Sequence, residues 1–472
     1  MNLIYDVKDK PKFGQLIVFA IQQLLAIMAA TLVVPIIVGN GMSPSAALFG
    51  AGIGTLVYLL FTKFRSPVFL GSSFAFLGSM AAAFAGGVSM ALGYLGLIIG
   101  AAMAGMVYVI IAVLVKFAGV NWLNKLMPPV VIGPTVAIIG LSLAGNAVGD
   151  LQTGEVTTTV VNQVIENGAI ANVPAQVPVA NVFVCILIGL VTLAVTMFCA
   201  TYGKKMARLI PFVLGILAGY AVAAVCTLIG NAMDVPALQV INFDYFTALF
   251  KDGVGLSTFV SVPDFTFLTA LGGFKELDAA YIGTIAAAYI PVAFVVFAEH
   301  VADHKNISSI IERDLLEDPG LHRTLLGDGV GSAVGAVFGG CPNTTYGESV
   351  GCVAITGNAS VVTIVAAAVG AMLISFITPF VAFVDSIPPC VMGGVCMALY
   401  GFIAVSGLKM LQKVDLEQNK NLFVASVILI AGIGGLSLNF VFGFGTITIT
   451  SIATALILGI LTNILLRKAK DE

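Results

Sequence analysis

The chain has 472 residues, of which 59% are hydrophobic and only 10% are charged. Soluble domains carry about 25% charged residues, so this composition excludes an ordinary soluble enzyme or binding module. The formal net charge of −3 carries little information, and the sequence has no basic patch of the kind that binds nucleic acid.

Long apolar stretches predict fourteen transmembrane helices, seven in each half of the chain. A stretch of about 20 apolar residues crosses a bilayer as a helix. The runs are continuous, unlike the alternating segments of a β-barrel. The first seven spans are predicted at 13–38, 45–62, 68–85, 92–116, 128–148, 181–202 and 209–230. The second seven are predicted at 281–304, 324–340, 341–357, 359–384, 388–407, 421–437 and 445–466.

The basic residues predict how these spans are oriented. With the N-terminus in the cytoplasm, all but two of the 21 Lys and Arg residues fall on the cytoplasmic side, as the positive-inside rule requires. The exceptions, Lys251 and Lys275, lie in the long loop 231–280, where the rule is weak. Both termini are therefore expected to be cytoplasmic.

Similar segments open the fifth span of each half: MPPVVIG at 127–133 and IPPCVMG at 387–393. Pro-Pro is also common at helix starts for purely local reasons. These two segments, however, share their position in each half, and they enter the membrane from opposite sides. A repeat with an odd number of spans inverts on duplication, and inverted repeats are common in secondary transporters. The predicted fold class is therefore an all-α polytopic membrane protein with a seven-plus-seven inverted repeat.

The third span of each half is rich in Gly, Pro, Ser and Thr: SPVFLGSSFAF at 66–76 and GGCPNTTYGE at 339–348. This composition predicts a short extended segment followed by a half-helix in spans 3 and 10. Such backbone is tolerated at membrane depth only where it lines a cavity or is buried in protein. Interrupted helices at matching positions indicate the binding site of a transporter.

Glu348 is the only charged residue between Asp328 and Asp385. An ionisable residue within a membrane span is costly and usually functional. The alternative is a Glu that is satisfied by backbone donors and serves structure alone.

Glu299 is a second candidate, with Asp303 on the same helix face four residues later. Two interpretations remain open. These residues could be the hydrated cytoplasmic end of their span, or the helix could continue toward Ile311 and bring Glu299 deeper into the membrane.

The same stretch has His300 and His304 at a spacing that suits a metal. A zinc site needs a third ligand, and the only other histidine, His322, lies in a predicted cytoplasmic loop. No metal and no cofactor are expected, and the missing ligand set and nucleophile argue against an intramembrane enzyme.

Several motifs together resemble the uracil permeases of the nucleobase:cation symporter-2 (nucleobase–ascorbate transporter) family. The resemblance runs over essentially the whole chain and includes LGSSFAF at 70–76, AEHV at 298–301, DPGLHR at 318–323, PNTTYGE at 342–348 and PCVMGG at 389–394. The family signature corresponds to ESVGCVAITG at 348–357.

Three positions depart from the family pattern. Ser349 stands where the signature has Asn, Gln22-Gln23 stands where the family often has Gln-His, and Asp303 stands where a uracil permease is expected to have His. The last two departures put the polar network and the proton path in question more than the fold.

The resemblance implies a core domain (13–118 and 281–384), a gate domain (119–235 and 385–467) and an extracellular loop (236–280), with substrate between core and gate. It implies that uracil is bound by Glu299, Glu348, Phe74, Gly347, Ala30, Tyr346 and Tyr400. Glu299, Asp303 and Glu348 are the implied proton-coupling residues, with Asp303 as a hypothetical replacement for the missing His.

The resemblance further implies proton symport of uracil across a bacterial cell membrane, by a homodimer. A carrier of xanthine or another purine is the alternative within the family. An anion carrier of similar architecture is the alternative outside it, although two acids in the pocket would repel anions.

Overall fold

The computed structural model describes residues 3–119, 125–166, 169–204, 206–251, 253–412, 414–442 and 445–468. Three lysines predicted to be cytoplasmic (Lys205, Lys413 and Lys470) lie outside the described residues, as do residues 120–124 near the start of the predicted gate domain. The chain divides into two units. One comprises the chain up to Ser142, Ser261–Ile377 and the chain from Tyr400; the other comprises Leu143–Val260 and Thr378–Leu399.

Sixteen of the helices are labelled here in chain order. They are α1 Phe13–Val38, α2 Pro44–Phe61, α3 Leu77–Ala83, α4 Met90–Ala118, α5 Pro129–Ser142, α6 Ala144–Asp150, α7 Val182–Tyr202, α8 Pro211–Ala232, α9 Ala279–Ile311, α10 Leu321–Gly339, α11 Gly347–Thr356, α12 Val361–Ile374, α13 Thr378–Asp385, α14 Pro389–Leu411, α15 Asn419–Ile433 and α16 Ser451–Leu465. Helices of four or five residues lie at Met206–Leu209, Asp244–Thr247, Leu256–Phe259 and Thr266–Ala270.

Within the described ranges, eight helical segments are long and apolar enough to cross a membrane: α1, α2, α4, the α5–α6 stretch, α7, α8, α9 and α14. Four shorter apolar helices include α12, α15 and α16. The prediction of a multi-pass membrane protein is confirmed by these helices. The count of fourteen spans, the inverted repeat and the orientation of the termini stay predictions.

In the part of the chain that the structure describes, six strands form three antiparallel pairs: β1 Leu70–Ser72 with β4 Asn343–Thr345, β2 Thr157–Glu166 with β3 Ala169–Pro178, and β5 Leu438–Phe442 with β6 Gly445–Ile449. The β1–β4 pair provides the short extended segments expected in spans 3 and 10. The β2–β3 hairpin lies in the long loop 149–180.

The β5–β6 hairpin corrects the predicted boundaries of the last two spans. Helix α15 ends at Ile433 rather than near 437, and α16 begins at Ser451 rather than near 445. Residues 446–449 alternate Thr and Ile, and β-branched side chains favour extended backbone. Hydropathy alone hid this change, because apolar strand residues score like apolar helix residues.

Two other spans also differ from prediction. Helix α9 continues to Ile311, beyond the expected end at 304, and begins with Asp278 accepting the Tyr281 N–H at 2.7 Å. The single span predicted at 359–384 is two helices, α12 and α13, separated at 375–377.

Glycines bring the backbone of α10 against both α2 and α4. A Cβ on Gly331 would lie 2.6 Å from the Gly54 carbonyl oxygen, and a Cβ on Gly329 would lie 2.8 Å from the Gly105 carbonyl oxygen. Small residues four apart, such as Gly50 and Gly54 on α2, allow this close packing of membrane helices. The backbone of helix α10 thus contacts the backbones of both α2 and α4. This packing determines the position of α10, and therefore the position at which β4 begins.

In the unit Leu143–Val260 and Thr378–Leu399, helices α7 and α8 pack together. Thr227 on α8 accepts the backbone N–H groups of Val240 and Ile241, each at 3.0 Å, and is 1% exposed. This hydroxyl fixes the chain that follows α8, within the predicted extracellular loop.

Candidate functional site

The two interrupted helices meet at the β1–β4 pair. Leu70 lies opposite Thr345 and Ser72 opposite Asn343, and all six strand residues are buried. Because the strands are antiparallel and each runs on into a helix, α3 and α11 leave opposite ends of the pair. The N-terminus of α11 therefore faces the short sheet, where its unpaired N–H groups favour a polar or negative partner. Helix α3 instead continues the 3-10 turn Phe74–Phe76, and the Leu77 N–H donates to the Phe74 carbonyl oxygen.

Tyr346 precedes α11 and attaches it to β1. Its phenol donates to the Ser72 carbonyl oxygen at 2.6 Å, and its backbone N–H donates to the Phe69 carbonyl oxygen at 3.2 Å. The ring covers Gly71, where a Cβ would lie only 2.9 Å from Tyr346 Cδ2 and nearer still to other ring atoms. Gly71 is therefore needed for Tyr346 to lie flat on the strand.

Three acids come together where β4 passes into α11. Glu299 and Asp303 lie on α9, Glu348 lies in the first turn of α11, and all three are half-buried. Thr345 Oγ1 donates to Asp303 Oδ2 at 2.8 Å, and Asp303 Oδ1 lies 3.7 Å from where a Cβ on Gly347 would be. Glu299 and Glu348 are near enough for their charges to repel, and both also act on Asp303.

The structure extends α9 well past Glu299. The helix runs on through Asp303 to Ile311, and its residues contact both β4 and α11. Glu299 and Asp303 therefore lie in the interior of a long helix, and Asp303 contacts β4 through Thr345. The depth of Glu299 in the membrane stays a prediction.

The other predicted binding residues lie around the same strand pair. Phe74, which opens the 3-10 turn after β1, is half-buried and meets Tyr400 of α14 edge-to-face, with ring centroids 6.3 Å apart. Ala30 is 2% exposed on α1, a helix that packs against β1 and α11. Phe74 and Tyr400 are thus in contact, and Asp303 lies next to Gly347. For Ala30, the structure shows only that its helix packs against this region.

A buried polar network that no sequence pattern indicated includes the two histidines next to Glu299 and Asp303 on α9. His300 Nδ1 is 2.7 Å from Asp328 Oδ2, and His300 Nε2 is 3.0 Å from Thr324 Oγ1. His304 Nδ1 bonds the His300 carbonyl oxygen at 2.8 Å, and its Nε2 bonds the Tyr58 hydroxyl at 2.7 Å.

Both histidines are fully buried, and all four of their ring nitrogens have hydrogen-bond partners. Within the described ranges, no group of three or more His, Cys, Asp or Glu could hold a metal ion. The spacing that resembled a metal site therefore belongs to this network. Its partners on α2 and α10 are too distant in sequence for any local pattern to indicate them.

We expect Asp328→Ala to destabilise the protein more than removal of an exposed acid. The substitution leaves His300 Nδ1 buried without a hydrogen-bond partner. An unsatisfied buried polar atom lowers the free energy of unfolding by about 1–3 kcal/mol. The matched control is Asp318→Ala, which breaks the exposed pair with Arg65, worth at most about 1 kcal/mol. Thermal unfolding in detergent compares the two, and equal Tm values would contradict a stabilising role for the buried pair.

A family model and two sequence relatives agree on one family. A family model described as "Permease family" matches residues 14–440. The chain is 38% identical to the uracil permease of Bacillus caldolyticus over 466 residues, which cover 98% of this chain and 94% of that protein. It is 36% identical to the uracil permease of Bacillus subtilis over 469 residues, which cover 99% and 96%.

Among solved structures, the transmembrane domain of a cyanobacterial bicarbonate transporter, BicA, is similar with a TM-score of 0.60. The match covers 97% of this chain and 100% of that domain, at 14% sequence identity. At this identity the likeness concerns the fold alone.

Proposed function

The chain belongs to the permease family that it matches, which makes it a transporter and not an enzyme, and from that premise we propose that it imports uracil by proton symport. Its sequence resemblance to the uracil permeases of the nucleobase:cation symporter-2 family is confirmed by the same relatives. The observation that carries the proposal is the convergence of three half-buried acids on one end of the β1–β4 pair.

The chemistry of these groups suits uracil. The base is flat and neutral, and it has two N–H donors beside carbonyl acceptors. A carboxylate accepts from N–H groups, and a protonated carboxyl can also donate to a carbonyl. The N-terminus of α11 adds backbone donors, and Phe74 offers an aromatic surface in the 3-10 turn before α3.

Coupling to a proton would follow from the crowding of the acids. Negative charges on Glu299, Asp303 and Glu348 repel one another in a medium of low dielectric constant, so proton occupancy and base binding are expected to depend on each other. The same proposal includes alternating access between a core domain (13–118 and 281–384) and a gate domain (119–235 and 385–467).

Xanthine or another purine is the alternative substrate. An anion is disfavoured, because Glu299, Asp303 and Glu348 would repel it. Uptake of labelled uracil and of labelled xanthine into proteoliposomes, each with and without excess unlabelled uracil, xanthine or bicarbonate, distinguishes these substrates. Uptake of labelled xanthine without uptake of labelled uracil would replace uracil with a purine, and absence of uptake of either base would contradict the whole proposal.

We expect Asp303→Asn to uncouple transport from the proton gradient. Asn keeps an oxygen for the Thr345 hydroxyl but cannot take up a proton. Since coupling free energies typically correspond to roughly 5- to 150-fold effects, accumulation driven by an imposed pH gradient should fall at least about fivefold, while uracil exchange continues. Full gradient-driven accumulation by this variant would rule out Asp303 as a titrating partner of Glu299.

Glu299→Gln should reduce both binding and accumulation of uracil, because the amide cannot give a charged acceptor or carry a proton. Hydrogen bonds to charged groups exceed neutral ones by about 1 kcal/mol or more, so we expect uracil affinity to fall roughly tenfold. Glu417→Gln is the control, since Glu417 is exposed in the segment between α14 and α15. Binding measured by calorimetry that equals the control's would exclude contact between Glu299 and uracil.

A further inference from the structure

The segment before α1, residues 3–9, lies along the connection between α11 and α12 and is called the strap here. Tyr5 of the strap pairs with Asn358 in a parallel bridge. The backbone N–H groups of Ile4 and Tyr5 both donate to the Gly357 carbonyl oxygen, at 2.7 and 3.3 Å. Since Gly357 is the left-handed residue that ends α11, the strap is bonded directly to the end of that helix.

The strap then continues along the start of α12. The Ala359 N–H donates to the Tyr5 carbonyl oxygen at 2.9 Å. The Val361 N–H donates to the Val7 carbonyl oxygen at 3.1 Å. Val7 is only 2% exposed, so the strap also buries an apolar side chain. A ladder of backbone hydrogen bonds and one buried side chain therefore hold the strap in place.

A charged contact joins the strap to α9 as well. Arg313 Nη2 donates to Asp6 Oδ2. Arg313 lies two residues beyond the end of α9, and its backbone N–H donates to the Ser308 carbonyl oxygen at 3.1 Å, which fixes Arg313 to the last turn of that helix. The strap therefore connects the ends of α9 and α11, the two helices that carry the three acids of the site.

The strap lies at the far end of these helices from the acids. Asp303 precedes the last residue of α9 by eight positions, and Glu348 precedes the last residue of α11 by eight positions. At 1.5 Å per residue, this is roughly 12 Å along each helix. Helices α9 and α11 are thus in contact at the acids and are connected again by the strap about three turns away.

We propose that the strap is a positioning element, which fixes the angle between α9 and α11 and so the separation of Glu348 from Glu299 and Asp303. The functional part of this inference rests on the proposed uracil transport. Like charges on the acids push the two helices apart at the site, and α11 is only ten residues long. The hydrogen bonds of the strap hold its other end. Detachment of the strap should therefore weaken uracil binding although no strap residue touches the base.

Val7→Asp tests whether the strap is held as described. A carboxylate in this buried place is unfavourable unless the strap leaves it. Ile4→Asp is the matched control, since Ile4 is 62% exposed on the same strap. Amide hydrogen exchange at Ala359 and Val361 should rise roughly tenfold or more in Val7→Asp, the factor that burial of one valine side chain contributes. Exchange that rises equally in both variants, or in neither, would overturn the docking of the strap.

Transport by the same two variants separates positioning from stability. Because the strap can detach locally while the rest stays folded, we expect Val7→Asp to keep a Tm close to that of Ile4→Asp. Couplings between distant sites typically correspond to roughly 5- to 150-fold effects, so KM for uracil uptake should rise about fivefold or more in Val7→Asp alone. A detached strap with an unchanged KM would overturn the positioning role.

An exchange of charges tests the link to α9 with exposed residues, and it decides the matter if Val7→Asp does not fold. Asp6→Arg places two like charges together, and Asp6→Arg combined with Arg313→Asp restores an opposite pair. The single variant should raise KM and the exchange at Val361 by about two- to fivefold, the range of exposed ion pairs, and the double variant should reverse both. A double variant no better than Asp6→Arg would overturn this link.

The control for the charge exchange is Arg65→Asp, which breaks the exposed pair with Asp318 away from the strap. It should change neither KM nor the exchange at Val361, and an effect equal to that of Asp6→Arg would also overturn the link. If the parent does not transport uracil, the proposed function fails, while hydrogen exchange still shows whether the strap holds α11. If the parent transports uracil and Val7→Asp behaves like Ile4→Asp, only this inference fails.

Discussion

Replacing Glu348 with glutamine is expected to abolish accumulation of uracil. Glu348 is half-buried in the first turn of α11, where the N-terminal N–H groups favour a negative charge. Glutamine has nearly the same shape and still accepts hydrogen bonds, but it holds neither a charge nor a transferable proton. Loss of one charged hydrogen bond to the base should weaken binding roughly tenfold, and loss of the proton site removes the driving force altogether.

The measurement is the ratio of internal to external labelled uracil in proteoliposomes under an imposed pH gradient. The parent should concentrate uracil, whereas Glu348→Gln should reach no more than equal concentrations on both sides. Glu417→Gln, an exposed acid-to-amide change, should behave like the parent. If Glu348→Gln accumulates uracil as the parent does, Glu348 does not take part in proton coupling. The alternative, a Glu that is satisfied by backbone donors and serves structure alone, would then hold.

Gly54→Val should prevent the packing of α2 against α10. A Cβ on Gly54 would lie 2.7 Å from the Gly331 carbonyl oxygen and 2.5 Å from Asn343 Nδ2. The backbone oxygen cannot move away unless α10 moves, and Asn343 is bonded to the Gly50 carbonyl oxygen at 3.0 Å and begins β4. Overpacking of this kind costs about 1–3 kcal/mol even where the surroundings can adjust, and here the neighbours are mostly backbone.

We expect little folded Gly54→Val protein in size-exclusion chromatography and a markedly lower Tm in whatever is recovered. The control is Gly14→Val near the start of α1, because a Cβ on Gly14 meets no atom within 4 Å. A Gly54→Val variant that folds and melts like Gly14→Val would mean that α2 and α10 are not in backbone contact.

Several features of this protein could be determined from the sequence. Composition identified the membrane class, because burial in lipid requires long apolar helices whatever their neighbours are. The Gly, Pro and Ser content of 66–76 and 339–348 indicated extended segments, because these residues disfavour a continuous helix. Glu299, Asp303 and Glu348 stood out because acids are rare in apolar stretches.

Other features were decided only by the tertiary structure. Periodicity shows which face of a helix a residue occupies but not what it touches, so Thr345 at Asp303, Asp328 at His300 and Gln23 at Ser349 could not be foreseen. Hydropathy could not reveal the β5–β6 hairpin, because it measures apolar character and not conformation. The extent of α9 was also open until its packing against β4 and α11 was known, because long-range contacts, and not local propensity, decide where a marginal helix ends.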